Sequence, residues 1–239
     1  MESIQQIPNN LAGFNLLRRD AWVAKIAKQL PPGMRLLDVG AGPCRYRTLF
    51  DHCSYHTQDF AQYDGKDIQN SQWRYGELDY ICDATDIPVE DNYFDAVLCT
   101  EVLEHVPEPD RVLQEISRIL KPNGLAFLSA PLGSGLHQQP FHFYGGFTPH
   151  FYSHFLQQHG LEILSIQPNG GFFRLLLQEI HRGLNLVARH YSPWHPTRLI
   201  FRLAASQFIA RWLTSLDDQI PSPTHTVGYF VEARKKAPV

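Results

Sequence analysis

Short apolar runs of strand length alternate with segments of helical spacing along most of the chain. The predicted strands are MRLLDVG (34–40), SYHTQDF (54–60), ELDYICD (77–83), FDAVLCT (94–100), LAFLSAP (125–131), LEILSIQ (161–167) and HTVGYFVEAR (225–234). Helices are predicted over 11–30, 109–120 and 149–159, and a turn with a further helix over 41–50. Such alternation indicates right-handed βαβ units and a mostly parallel sheet.

We therefore predict an α/β fold: a Rossmann-like, seven-stranded sheet with helices on both faces and a helical insertion before the last strand. The predicted segments are an N-terminal helical segment (1–33), the core (34–168), the insertion (169–224) and the final strand and tail (225–239). Ligands of such sheets bind beyond the carboxyl ends of the strands. The candidate site therefore lies in the loops at 40–45, 59–63, 83–86, 99–105 and 131–147.

Composition narrows the classes of function. The 239 residues carry a formal net charge of -3, which disfavours a nucleic-acid partner. The four cysteines include no CxxC pair, which argues against a structural zinc site or a disulfide framework and fits a reducing cytoplasm. The N-terminal sequence MESIQQIPNN has no signal-peptide pattern, and no run of about 18 apolar residues predicts a membrane span.

The loop after the first predicted strand, in LLDVGAG, has the residues of a nucleoside-binding turn. Gly40 and Gly42 allow a tight turn and a close approach of the backbone to a ligand. A dinucleotide-binding fingerprint would need a third glycine at position 45, where this chain has an arginine. Asp38 suits a cofactor with a positive ammonium group, and Asp59 ends the second strand where a carboxylate can bind ribose hydroxyls.

From about Met34 to Ile166 the chain resembles the class I S-adenosylmethionine-dependent methyltransferases. LLDVGAG is similar to their first motif, CDATDIPVEDNYFDAVLCTEVLEHV to the stretch from the adenine contact to the fourth strand, and LKPNGLAFLSAP to the turn into the fifth strand. The resemblance implies S-adenosylmethionine as cofactor. The cofactor-binding residues it implies are Asp38, Gly40, Ala41, Gly42, Asp59, Asp83, Ala84, Cys99, Thr100 and Glu101. Among these, Asp83 would accept from the adenine amino group, and residues 99–101 would line the methionine end.

The chain departs from the family pattern at Cys44, where many members have a third glycine. A cysteine adds a side chain at a place where the backbone approaches the cofactor. It either weakens cofactor binding or is a tolerated small residue, and we favour the second interpretation.

Three histidines in the candidate loops, His105, His137 and His142, are the predicted catalytic residues. Methyl transfer to oxygen needs a positioned acceptor and in many cases a general base, for which histidine has a suitable pKa. A zinc site is an alternative, but nothing in the sequence requires one, so no metal is predicted. Hydrogen bonding of these rings to loop backbone is the simplest structural alternative.

The predicted insertion is rich in arginine. Residues 172–216 contain six arginines and one acid, Glu179, although the whole chain is negatively charged. The stretch RLIFRLAASQFIARWL (198–213) is apolar around most of a helical wheel, which suggests a buried or partner-covered helix. The insertion could cap the acceptor site, form a homodimer surface, or bind an anionic membrane surface peripherally; a cap or dimer surface is favoured.

Together these features predict a cytoplasmic methyltransferase acting on a small-molecule, sugar or lipid-linked acceptor, with transfer to oxygen favoured. The alternative is a non-catalytic S-adenosylmethionine-binding regulatory or assembly protein. A nicotinamide-dependent oxidoreductase is disfavoured by Arg45. The sequence does not identify the acceptor or the oligomeric state.

Overall fold

The computed structural model describes residues 13–66 and 73–237. It contains one seven-stranded sheet, as predicted. The strands are β1 (Arg35–Val39), β2 (Ser54–Asp59), β3 (Tyr80–Ile81), β4 (Phe94–Thr100), β5 (Leu120–Pro131), β6 (Leu161–Pro168) and β7 (Gly228–Lys235). They are arranged in the order β3-β2-β1-β4-β5-β7-β6. The pairs from β3 across to β5 are parallel and β7 is antiparallel to β5, so the predicted mostly parallel α/β sheet is confirmed.

The sheet order reverses between β1 and β4, which are neighbours although two strands separate them in sequence. Val39 pairs with Cys99 in register, so the loops that follow these two strands leave the sheet side by side. Residues 96–99 of β4 are all buried, which shows that both faces of the sheet are covered. The topological switch point lies here and is the expected position of a ligand.

Six α-helices accompany the sheet in the described residues. They are α1 (Phe14–Gln29), α2 (Pro109–Ile119), α3 (Pro149–Gln158), α4 (Phe172–His190), α5 (Pro196–Ala204) and α6 (Gln207–Gln219). In α2 the apolar positions follow helical spacing, with Pro109 at the start of the helix. Four of them, Val112, Leu113, Ile116 and Ile119, join the main core, which is the cluster of buried apolar side chains around the sheet. Thr148 caps α3, since its side chain accepts from the Phe151 amide.

The chain divides into two compact units. One comprises residues 23–167 and 228–237 and holds the sheet; the other comprises residues 13–22 and 168–227 and holds α4, α5 and α6. The predicted insertion is thus helical, while the predicted N-terminal segment is divided between the units at Trp22. Residues 1–12, including MESIQQIPNN, lie outside the described residues, as do 238 and 239.

Several predicted elements differ from the structure. The segment after β1 forms turns and a short 3-10 helix at Arg47–Phe50 instead of an α-helix, and β3 keeps only two of its seven predicted residues. Leu120 already pairs with Phe94, so β5 begins before KPNG and contains a register shift. β7 starts three residues later than predicted.

The single apolar helix predicted over 198–213 is wrong. It is broken after Ala204, and Ser206 caps a new helix by accepting from the Ile209 amide. No residue of α5 is buried. Of the two expectations for this stretch, burial within the chain is therefore wrong for α5, and coverage by a partner stays a prediction. No helix in the described residues is long and apolar enough to cross a membrane.

Candidate active site

The glycine loop, residues 40–44, follows β1 directly. Gly40 and Gly42 have φ of 69° and 51°, values in the left-handed region that glycine adopts without strain. A Cβ at position 40 would overlap the Val102 side chain from the loop after β4, and one at position 42 would lie 3.3 Å from the Trp73 ring. The two glycines therefore allow the loop to turn sharply beneath its neighbours, as the sequence predicted.

The end of β2 holds the glycine loop in place. Asp59 accepts the Gly42 amide at 2.8 Å and the Ala61 amide at 2.9 Å, one on each carboxylate oxygen. Gln58, which is buried, accepts the Gly40 amide at 3.2 Å and donates to the Cys82 carbonyl at 2.6 Å. Gln58 was missed in the sequence, where a polar residue inside a strand gave the only signal. Because each carboxylate oxygen has a second lone pair, Asp59 can still accept ribose hydroxyls.

Asp38 lies at the end of β1 and is only 2% exposed. The Tyr55 hydroxyl donates to its carboxylate, a partner that the sequence did not reveal. Burial raises the pKa of Asp38 to about 7, while the Tyr55 hydrogen bond acts in the opposite direction. Burial of the Tyr55 side chain, together with the nearby charge of Asp38, raises the pKa of Tyr55. At neutral pH the charge of Asp38 is therefore sensitive to a cation placed beside it.

Cys44 has a φ of 56°, which lies in the left-handed region. The glycine that many family members have at this position would adopt this conformation easily. Its thiol lies 3.3 Å from the Glu77 carbonyl, and a Cβ on Gly76 would meet the Cys44 sulfur at 2.5 Å. The Cys44 side chain is therefore packed against residues 76 and 77, which supports the interpretation of a tolerated small residue.

The predicted adenine contacts follow β3. Asp83 is exposed and accepts from the Thr85 amide at 2.9 Å and hydroxyl at 2.8 Å, and Ala84 is buried in the main core. Beside the glycine loop stand aromatic rings that sequence reasoning did not assign to the site. Trp73 contacts Tyr63 and Tyr75 edge to face, with ring centroids 5.4 and 5.7 Å apart. The aromatic run in the segment QWRYG was the available signal.

The predicted methionine-binding residues, Cys99, Thr100 and Glu101, lie at and just after the end of β4. The Cys99 side chain is fully buried in the main core, so only its backbone could reach a ligand. Thr100 pairs with Ser129 of β5, and the Ser129 hydroxyl donates to the Glu101 carboxylate at 2.8 Å. Glu101 has φ of 54°, which turns the chain sharply as it leaves the strand.

The three predicted histidines come together in one cluster, here called the histidine cluster. Ring centroids are 4.8 Å apart for His105 and His137, 4.5 Å for His137 and His142, and 5.7 Å for His105 and His142. All three side chains are half-buried. His105 follows β4 and the other two follow β5, so adjacent parallel strands bring them to the same edge of the sheet.

Hydrogen bonds to carbonyls fix the tautomers of two of these rings. His105 Nδ1 lies 2.6 Å from the Phe141 carbonyl, and His137 Nδ1 lies 2.9 Å from the Gly135 carbonyl. A carbonyl only accepts, so each Nδ1 carries a proton and each neutral ring keeps its lone pair on Nε2. The Ser134 hydroxyl donates to the Gly145 carbonyl and lies 3.1 Å from His142 Nε2, which leaves the His142 lone pair on Nδ1.

A family model described as a methyltransferase domain matches residues 37–128, which contain the glycine loop, Asp59, Asp83 and the strands of the switch point. The matched part of the chain, residues 37–128, is a methyltransferase domain of the class I S-adenosylmethionine-dependent type.

Relatives within this family have varied names. The ubiquinone biosynthesis O-methyltransferase of Chromobacterium violaceum is 34% identical over 108 residues, which cover 41% of this chain and 44% of that protein. Cycloartenol-C-24-methyltransferase 1 of Oryza sativa subsp. japonica is 36% identical over 98 residues, covering 38% of this chain and 28% of that protein. The chain therefore matches less than half the length of either relative.

A solved structure has the same fold. Haemonchus contortus phosphoethanolamine N-methyltransferase 2, in complex with phosphomonomethylethanolamine and S-adenosylhomocysteine, aligns with a TM-score of 0.51 at 17% identity. The alignment covers 92% of this chain and 53% of that one. At this identity the likeness extends to the fold alone.

The cofactor side of the site fits S-adenosylmethionine, the cofactor of this family. The glycine loop forms a cradle that side chains at 40 and 42 would fill, Asp59 presents carboxylate oxygens for the ribose, and Asp38 offers a counter-charge for the ammonium group. Ala84 and the exposed Asp83 stand at the end of β3 for the adenine. These are the residues that would hold the cofactor.

The acceptor side contains two groups that the sequence did not single out. Glu104 is buried, and its carboxylate lies 3.8 Å from His105 Nε2. Three potential metal-ligand atoms, one each from Glu104, His105 and His137, lie within 4.8 Å of one another. This set could therefore hold a transition-metal ion. Tyr152 of α3 is fully buried, and its hydroxyl has no hydrogen-bond partner among the described residues.

Proposed function

We propose that this methyltransferase transfers a methyl group from S-adenosylmethionine to a hydroxyl oxygen of a small-molecule, sugar or lipid-linked acceptor. The observation that carries the proposal is the histidine cluster, in which backbone carbonyls hold two rings with Nε2 lone pairs. A set of ring lone pairs at the carboxyl ends of β4 and β5 suits the binding of a hydroxyl hydrogen.

The cofactor side and the acceptor side of the site have different roles in the reaction. When bound, S-adenosylmethionine supplies a methyl group already activated on a sulfonium, so this chain's residues mainly position the acceptor and remove its proton. His137 or His142 accepts the hydroxyl proton on its ring lone pair as the oxygen becomes methylated. His105, whose side chain is 12% exposed and lies beside Glu104, orients the other two rings.

The electrostatics of His142 favour the neutral base form. Burial lowers the pKa of His142, and the neighbouring His137 lowers it further. The lowered pKa keeps the ring neutral, and able to accept a proton, down to a lower pH than an ordinary histidine. We therefore expect the acid limb of the pH–rate profile to lie below the ordinary histidine value of about 6.5.

Aromatic side chains support an acceptor with both apolar and hydroxyl parts. Phe60 and Phe141 meet edge to face with ring centroids 5.7 Å apart, and they connect the loop after β2 with the loop that holds the histidine cluster. Phe143 and Tyr144 of the same loop are exposed. Rings and imidazoles together suit a phenol, a sugar or the head of a lipid-linked intermediate.

The test is a methyl-transfer assay with radiolabelled S-adenosylmethionine and a panel of phenols, hexoses and lipid-linked sugars. With the best acceptor, we expect His142→Ala or His137→Ala to lower kcat by roughly 10²–10⁴-fold, with cofactor affinity unchanged. His154→Ala is the matched control, because this exposed histidine lies on α3 outside the cluster. A methylated product that resists mild alkali is an ether, which distinguishes hydroxyl oxygen from carboxyl oxygen.

Two outcomes would contradict the proposal. Wild-type turnover in the variants of all three clustered histidines would remove the base assignment. Tight binding of S-adenosylhomocysteine without methyl transfer to any acceptor would favour the alternative, a non-catalytic cofactor-binding protein that serves in regulation or assembly.

A further inference from the structure

The unit that contains α4, α5 and α6 exposes more large apolar side chains than its own core can cover. Its core consists of Leu177, Ala210 and Leu213, with a few half-buried neighbours. Five large apolar side chains on and before α5 and α6 are mainly exposed: Trp194 (81%), Phe208 (79%), Leu203 (69%), Ile200 (66%) and Trp212 (55%). We call these five residues, with Arg189, Arg202 and Arg211, the insertion surface. Such a concentration of exposed apolar residues is unusual and marks an interaction site.

Helices α5 and α6 each have one packed side and one exposed apolar side. In α5, Phe201 contacts α4 so closely that a Cβ on Gly183 would overlap its ring, whereas Ile200 and Leu203 point to solvent. In α6, Ala210 and Leu213 are buried, whereas Phe208 and Trp212, one helical turn apart, are exposed. Folding of the unit therefore leaves the insertion surface uncovered.

A buried carboxylate joins two helices of this unit. Asp217 of α6 accepts the backbone amides of Gly171, Phe173 and Arg174, at 2.9, 3.0 and 3.2 Å, and so caps the start of α4. It also pairs with the Arg174 side chain at 2.6 Å. This carboxylate therefore holds α6, which carries Phe208 and Trp212, against the start of α4.

Positive charge is interleaved with the apolar side chains. Arg202 and Arg211 are exposed and immediately adjacent in sequence to Leu203 and Trp212, and Arg189 is exposed near the end of α4. Within the described residues, no carboxylate forms an ion pair with any of these three arginines. Apolar rings and basic side chains on the same short helices are the combination that inserts into the interface of an anionic bilayer.

We propose that the insertion surface docks peripherally on a membrane that contains anionic phospholipids. A second copy of the chain fits less well, because a symmetric contact through this surface would place arginines against arginines. A nucleic acid would use the arginines but would leave Ile200 and Leu203 without apolar contacts. The inference does not depend on the methyl-transfer chemistry proposed above.

The experiment is co-sedimentation of the full chain with vesicles of phosphatidylcholine, with and without phosphatidylglycerol. We expect binding to the anionic vesicles, weak binding to the neutral ones, and release at high salt, where surface charges are screened. Brominated lipids should quench tryptophan fluorescence if Trp194 and Trp212 enter the interface.

Matched variants assign the binding to this surface. Arg202→Gln with Arg211→Gln should weaken vesicle affinity about 30-fold, from about 1 kcal/mol for each arginine. Lys25→Gln with Lys28→Gln, which removes the same charge from exposed positions of α1, should leave it nearly unchanged. Phe208→Ser with Trp212→Ser should also reduce binding, whereas Leu164→Ser on β6 should not. Circular dichroism and thermal stabilisation by S-adenosylhomocysteine confirm that each variant is folded.

Three results would overturn the proposal. The first is no binding to anionic vesicles, and the second is equal binding to neutral and anionic vesicles. The third is a concentration-dependent dimer that Phe208→Ser and Trp212→Ser abolish while vesicle binding stays the same. None of these measurements involves turnover. A result against membrane docking is therefore distinguishable from a result against the proposed methyl transfer.

Discussion

Asp38 is a carboxylate almost without access to water, and its charge should control binding of the cofactor. Burial raises its pKa to about 7 from an ordinary value of 3.8. This rise corresponds to about 4 kcal/mol of unfavourable free energy for the ionised form in the folded protein. We predict that the affinity for S-adenosylhomocysteine, which carries the same ammonium group as the cofactor, depends on pH through this carboxylate.

The sign follows from the direction of the shift. Below its folded pKa Asp38 is mostly neutral and cannot pair with an ammonium group, whereas above it the ionised form is available. Between about pH 6 and 7.5 the ionised fraction rises about eightfold, so affinity should rise by about the same factor. The free protein should behave in the opposite way: its stability should fall between about pH 4 and 7, because the folded state retains the proton longer than the unfolded chain.

Isothermal titration calorimetry across this pH range tests the prediction with two variants. Asp38→Asn should weaken binding at about pH 7.5 by roughly 1.5–3 kcal/mol, the value of a hydrogen bond to a charged group, and should abolish the pH dependence. Tyr55→Phe removes a hydrogen bond that lowers the pKa of Asp38. The midpoint of the binding profile should therefore move to higher pH in that variant.

The reasoning would be refuted by either of two results. If wild-type affinity does not change between about pH 6 and 7.5, the carboxylate does not titrate in this range or does not face the ammonium group. If Asp38→Asn binds as tightly as wild type at the higher pH, Asp38 is a structural residue under the glycine loop and not a cofactor contact.

Three further predictions concern the glycine loop, the insertion and the histidine cluster. Gly40→Ala should abolish S-adenosylhomocysteine binding because its Cβ would overlap Val102; adding Val102→Ala should restore part of it, and full binding in the single variant would contradict this. Asp217→Asn should lower the free energy of unfolding by about 3–5 kcal/mol, since it leaves Arg174 without its buried partner, while the exposed Asp218→Asn should cost much less; urea titration measures both. Added Zn²⁺ should inhibit methyl transfer by occupying ring nitrogens of the histidine cluster, whereas a chelator should leave the activity of the purified protein intact; loss of activity on chelation would instead indicate a resident metal.

The cofactor side could be predicted from sequence because it depends on local backbone geometry. Gly40 and Gly42 are needed at fixed positions after β1, and Asp59 follows from the length of β2, so spacing alone locates them. The partners that set the electrostatics could not be found in this way. Tyr55 reaches Asp38 and Gln58 reaches the glycine loop only because β1 and β2 are paired in one register.

The geometry of the acceptor side depends on contacts between loops. The spacing of residues in the sequence predicts little about such contacts. The sequence placed His105, His137 and His142 near one another, since they follow neighbouring strands. It could not show which nitrogen of each ring carries the proton, because that depends on carbonyls brought in by the folding of the 131–147 loop. Glu104 could not be predicted because an acidic residue next to a strand end is usually exposed, and only the short 3-10 turn after β4 buries it beside His105.

The insertion shows why an apolar helical wheel is ambiguous. A segment that is apolar on all sides can be buried on all sides, or it can pack on one side and present the other to a partner. Residues 198–213 contain both kinds of position, because the break after Ala204 starts a second helix with a new phase. A wheel drawn as one helix places Phe201 and Ala210, which face protein, almost on top of Phe208 and Leu203, which face solvent. The apolar character on all sides of the single wheel therefore arises from two amphipathic helices with different phases. The exposed apolar side of each helix is the side that a partner must cover.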